Sequence, residues 1–168
     1  YGCEKIAVEK IKHFISKEAL NIDGFGKKVV EKFWDLKLLN KPQDIFNLNY
    51  NKISNLEGWG QKSVNNLRNS IENSKKVTLQ RLIYSLGIRH IGIENAKLIS
   101  ENVHSLNEFI KLVKNNNFNT FLNIDGIGET QVNSLKKFFS NKINTDILIN
   151  LSEILNTHNQ NLKKNGKL

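Results

Sequence analysis

A six-residue phrase recurs along this chain at nearly constant spacing. Asn21-Ile22-Asp23-Gly24-Phe25-Gly26 returns as Asn55-Leu56-Glu57-Gly58-Trp59-Gly60 and as Asn123-Ile124-Asp125-Gly126-Ile127-Gly128, and a looser copy ends at Arg89-His90-Ile91-Gly92. The closing glycines at 26, 60, 92 and 128 are 34, 32 and 36 residues apart. A period of that length marks one supersecondary unit used repeatedly, each copy too small to bury a core alone and stable only against its neighbours.

Apolar spacing defines the unit. Strand alternation is nearly absent, whereas helical spacing recurs throughout. Ile6, Val8, Ile11, Phe14 and Ile15 fall on one face of a first helix, and Val29, Val30, Phe33, Trp34 and Leu36 form the stripe of another. Val64, Leu67 and Ile71 follow the second phrase; Val132, Leu135, Phe138 and Phe139 follow the last. Segments 17–21, 50–55, 79–86 and 118–123 precede the glycines, so each repeat reads as a short helix, a glycine turn and a longer helix. Ser105 and Asn144 are expected N-caps for helices near 106–115 and 145–156. Pro42, the only proline, can open a short helix as its first residue. The polar, lysine-rich stretch from His158 to Leu168 reads as a linker.

The glycines suggest a ligand. The first of each pair can take positive φ without a Cβ penalty. The second keeps the backbone bare where a helix begins and its first N–H groups lack intrahelical partners. With the helix dipole, such a terminus is a phosphate seat. Contact there is with a sugar–phosphate strand and carries no base sequence. The candidate DNA-binding residues are Gly24, Gly26, Lys27 and Lys28; Gly58, Gly60, Gln61 and Lys62; Arg89, His90 and Gly92; and Gly126, Gly128 and Thr130. Lysine follows only the first two turns, and Glu129 opposes an anion at the last. The competing reading is that each glycine pair merely ends one helix and starts the next. Gly24-Phe25-Gly26 is not a dinucleotide fingerprint, since the third glycine and the preceding strand are missing.

Composition agrees with an anionic partner. Lys and Arg number 25 against 16 Asp and Glu, a net charge of +9, and the only arginines are Arg68, Arg81 and Arg89. A single cysteine, Cys3, excludes an internal disulfide and a self-contained zinc site. His13, His104 and His158 have no metal spacing. Trp34 and Trp59 lie on apolar stripes and read as core, and Lys75, Lys76, Lys136 and Lys137 as solvated faces. No apolar run approaches the roughly 20 residues of a membrane span and no signal-peptide pattern is present, so the chain is expected in the cytoplasm; as a DNA binder it is expected to be a monomer associated with the nucleoid. The chain starts at Tyr1 and has no methionine, which predicts a piece of a longer protein.

These residues resemble tandem helix-hairpin-helix DNA-binding motifs. From about residue 3 to residue 156 the chain resembles one enzyme family, the bacterial NAD-dependent DNA ligases, over the segment between zinc finger and BRCT domain. The blocks that carry the resemblance are Cys3-Glu4, then Ile11-Lys12-His13-Phe14-Ile15-Ser16, the first phrase, Leu56-Glu57-Gly58-Trp59-Gly60-Gln61-Lys62-Ser63, and Leu82-Ile83-Tyr84-Ser85-Leu86-Gly87-Ile88-Arg89-His90-Ile91-Gly92. The resemblance implies an all-α fold of four tandem helix-hairpin-helix motifs packed as two pseudo-twofold pairs, of the SAM-like or RuvA domain 2-like type. It implies residues 1–16 as the end of the zinc-finger segment and first helix, 17–86 and 87–156 as the two pairs, and 157–168 as a linker toward an absent BRCT domain. Cys3 matches the last zinc cysteine of the parent. NAD, magnesium and zinc belong to that parent, and no cofactor is expected here. Residues 21 and 123, where the adenylated lysine of a Lys-x-Asp-Gly motif would stand, are asparagine, so no catalytic residue is assigned and the fragment is expected to be inactive alone. The implied role is sequence-independent binding of nicked double-stranded DNA during replication and repair. The alternatives are a module of a repair or Holliday-junction protein, a glycosylase using Lys27 or Lys62, and a helical protein-interaction module.

Overall fold

The computed structural model describes residues 2–158. Residues 159–168 of the expected linker lie outside them. The chain divides between Lys75 and Lys76 into two compact units, whereas the expected pairs were divided at 86/87. The segment 79–86 therefore belongs with the turn it precedes.

In the first unit, α1 (Gly2–Ile15) buries Ile11, Phe14 and Ile15, but Ile6 is 59% exposed and Val8 half-buried, so the expected stripe covers only the C-terminal half of the helix. Residues 17–20 form turns rather than the expected short helix. Leu20 N–H donates to the Phe14 carbonyl and Asn21 N–H to that of Ser16, and Asn21 lies at φ 52°, which ends the helical path. Next come α2 (Lys27–Asp35), a 3₁₀ turn from Pro42 to Asn47 that proline opens, α3 (Tyr50–Ser54) and α4 (Gln61–Ser74). Phe33 is fully buried, with ring centroids of Phe25 and Trp59 each 5.7 Å from its own. Val30 is buried beside it, while Trp34 is half-buried and Leu36 is exposed.

Lys12 ties α1 to α2. Its Nζ lies 2.7 Å from Glu31 Oε2 and 3.6 Å from Glu9 Oε1. The hydrogen bond to Glu31 raises the lysine pKa, and the same bond lowers that of Glu31. A raised lysine pKa stabilises the fold below the ordinary lysine value and loses that contribution as pH rises through the folded value. A lowered carboxylate pKa stabilises above the ordinary carboxylate value and is lost as pH falls through the folded one. Glu31→Gln is therefore expected to lower the melting temperature slightly at neutral pH. That difference should close as pH falls through Glu31's lowered pKa, and thermal melts across the acid range test it.

In the second unit, β1 (Lys76–Thr78) leads into α5 (Leu79–Ser85), then α6 (Ile93–Val103), α7 (Leu106–Lys114), a 3₁₀ turn from Phe118 to Asn123, α8 (Glu129–Ser140), α9 (Lys142–Ile154) and β2 (Asn156–His158). The two strands pair in parallel, Val77 opposite Thr157. They were not expected, and they place Thr157 and His158 in the fold rather than in a linker. Ser105 caps α7 as expected, its Oγ accepting from Glu108 N–H. Asn141, not Asn144, caps α9: its Oδ1 accepts from Ile143 N–H at 3.0 Å, and the Asn144 amide donates to the Phe138 carbonyl. Phe109 is fully buried between the rings of Phe121 and Phe139, while Leu135, Leu148 and Leu151 fill the rest of this core.

Candidate nucleic-acid interface

The four phrases fold alike. In each, the residue between the paired positions donates its N–H three residues back: Phe25 to Ile22, Trp59 to Leu56, Ile91 to Ile88 and Ile127 to Ile124, at 3.0–3.3 Å. The preceding residue takes positive φ: Gly24 77°, Gly58 84°, His90 67° and Gly126 96°. A turn with positive φ at its third position favours glycine. Histidine at 90 is one of the few other residue types that enter this region with some frequency. Phe25, Ile91 and Ile127 point into the core, and Trp59 is half-buried against Phe33.

The second glycine is each helix's N-cap, and its carbonyl accepts the first intrahelical bond, from Val30, Val64, Ala96 and Val132. Gly26, Gly60, Gly92 and Gly128 have φ between −84° and −114° with ψ near 180°, ordinary extended backbone. A Cβ at Gly26, Gly60 or Gly92 would meet nothing within 4 Å. Neither conformation nor internal packing calls for glycine at these three positions. What a side chain there would obstruct is an approach from outside to the N–H groups of the first helical turn.

All fourteen candidate residues are solvent-exposed: the glycines, Lys27, Lys28, Gln61, Lys62, Arg89, His90 and Thr130. The turns nevertheless differ. The first turns of α2 and α4 contain no acidic residue, although one would favour the helix dipole. Those of α6 and α8 contain Glu94 and Glu129. In addition, Gln131 Oε1 accepts from Gly128 N–H at 2.9 Å, and Asn95 Oδ1 from Gly92 N–H at 3.4 Å. These two side chains were not singled out from the sequence. Their signal is an amide three residues after an N-cap, half of a capping box. In the first two turns no side chain caps the glycine.

Cys3 is an exposed thiol on α1. Among the described residues no three His, Cys, Asp or Glu side chains are grouped to hold a metal ion. A four-cysteine zinc site does not fit a chain with one cysteine. Among the described residues no helix is long and apolar enough to cross a membrane.

The family model for the helix-hairpin-helix motif matches residues 81–148, which hold the third and fourth turns. The chain is 60% identical to a DNA ligase of Pelagibacter ubique over 155 residues, 92% of the chain and 23% of that protein. It is 44% identical to a DNA ligase of Rickettsia bellii and 42% to one of Rickettsia canadensis, each over 92% of the chain and 24% of the relative. The chain is thus related in sequence to DNA ligases and spans about a quarter of the length of the relatives it matches.

Proposed function

We propose that the chain is the DNA-gripping part of an NAD-dependent DNA ligase, binding duplex beside a nick without regard to base sequence. The observation that carries this reading is the set of exposed N-cap glycines whose missing side chains leave helix N-termini open. The names of the relatives and the net charge of +9 support it. Backbone N–H groups and flanking lysines take phosphate oxygens, so the contact positions the protein and reads no bases. The turns of α2 and α4 grip most firmly, because lysine is added there and neither an acid nor an amide competes. Adenylation and sealing, with NAD, magnesium and structural zinc, belong to the rest of the parent enzyme, and this fragment binds as a cytoplasmic monomer without catalysing a step.

Anisotropy titrations of the chain with a labelled nicked duplex at several salt concentrations test this. Affinity should be the same for unrelated sequences. It should fall with salt at a slope of about 0.9 per phosphate neutralised. Salt-insensitive binding, or none, would defeat the proposal, and a strong preference for four-way junctions over nicked duplex would favour a junction-binding role.

A further inference from the structure

The surface of α4 beyond its first turn carries a second feature suited to phosphate. Gln61, Asn65, Arg68 and Glu72 occupy positions i, i+4, i+7 and i+11, one stripe along the helix. Gln61 Nε2 donates to Asn65 Oδ1 at 3.2 Å, so the stripe is ordered from its start. Arg68 is one of only three arginines among 25 basic residues. Its guanidinium carbon lies 4.7 Å from the centroid of the Tyr50 ring. Tyr50 opens α3 and is half-buried, while Arg68 is exposed, so a fixed platform carries an accessible cation. Glu72, one turn further on, is held by Lys75 Nζ at 3.0 Å. Among the described residues no carboxylate lies within 4.0 Å of Arg68 and no protein acceptor takes its N–H groups.

A guanidinium held over an aromatic face is restrained in place while its N–H donors stay available, which suits binding of a phosphate. Seven residues separate Arg68 from Gln61, about 10 Å of helix. A duplex strand presents a charge every 3.4 Å or so of its axis, so a cation two turns from the seat meets a different phosphate from the one at the seat. From this geometry we infer that Arg68, oriented by Tyr50, is a further DNA-backbone contact that extends the grip of the second turn along the strand. The inference rests on the DNA-binding reading above.

The test compares wild type, Arg68→Gln, Arg68→Lys and Tyr50→Leu of this chain on a labelled nicked duplex between 50 and 200 mM salt, with circular dichroism of each. Arg68→Gln should bind more weakly and lower the salt slope by about 0.9, so that its deficit shrinks about 3.5-fold across that range. Arg68→Lys should keep the slope and lose part of the affinity, because lysine has the charge without the fork. Tyr50→Leu should likewise keep the slope and lose affinity. A wild-type slope in Arg68→Gln would overturn the inference and leave the DNA-binding reading standing, whereas absence of salt-dependent binding by wild type would defeat that reading itself. Should Arg68→Gln lose helicity, Arg68→Lys decides: full affinity with a lowered melting temperature means that the arginine serves the fold alone.

Discussion

Replacing Phe33 by alanine should destabilise the first unit by about 3–5 kcal/mol, the usual range for truncating a fully buried aromatic side chain. The ring stands between Phe25 and Trp59, the residues that moor the first and second turns. Deleting it leaves a cavity and removes two ring contacts at once. Because a domain's whole stability is about 5–15 kcal/mol, the variant should unfold at a much lower urea concentration, and DNA affinity should fall with it, since both turns lose their common support. A loss below about 1 kcal/mol in the same titration would mean that the turns are held by other contacts.

Gly60→Val should separate binding from folding. Position 60 has extended φ, and a Cβ there meets nothing within 4 Å, so the fold and helicity should persist, with the melting temperature lowered only by the modest cost of valine at an N-cap. Charge-assisted hydrogen bonds contribute about 1.5–3 kcal/mol, and crowding the α4 terminus should therefore weaken binding about 10- to 150-fold. Gly58→Val is the control with the opposite character. Gly58 sits at φ 84°, where a β-branched side chain is strained by at least about 1–2 kcal/mol, so stability should fall first. Unchanged affinity in Gly60→Val would remove the second turn from the interface.

Much of this arrangement is legible in the sequence because it is local. A left-handed residue followed by an apolar anchor and an N-cap lies within six residues, and the phrase declares it three times. His90 at the glycine position of the third turn follows from register alone. Features that depend on distant partners are not legible. β1 and β2 have three residues each, too few to alternate, and they pair across 80 positions of chain. Whether residues 17–21 are helix or turn depends on Asn21 adopting positive φ after α1, which residue type alone does not fix. Asn141 and Asn144 are equivalent caps by residue type, and the amide of Asn144 turns instead to the end of α8. Arg68 carries no local pattern, and its platform is 18 positions earlier in the chain.

The short parallel ladder also has a mechanical side. β1 opens the second unit and β2 follows its last helix, running in the same direction with Lys76 opposite Asn156. A pull backward on the chain before Lys76 and forward on the chain after His158 loads the two strands in opposite senses along their common axis. Their hydrogen bonds are then sheared together instead of being peeled open one at a time. The ladder therefore stands first in the path of such a load, ahead of the helices that lie between the strands in the chain.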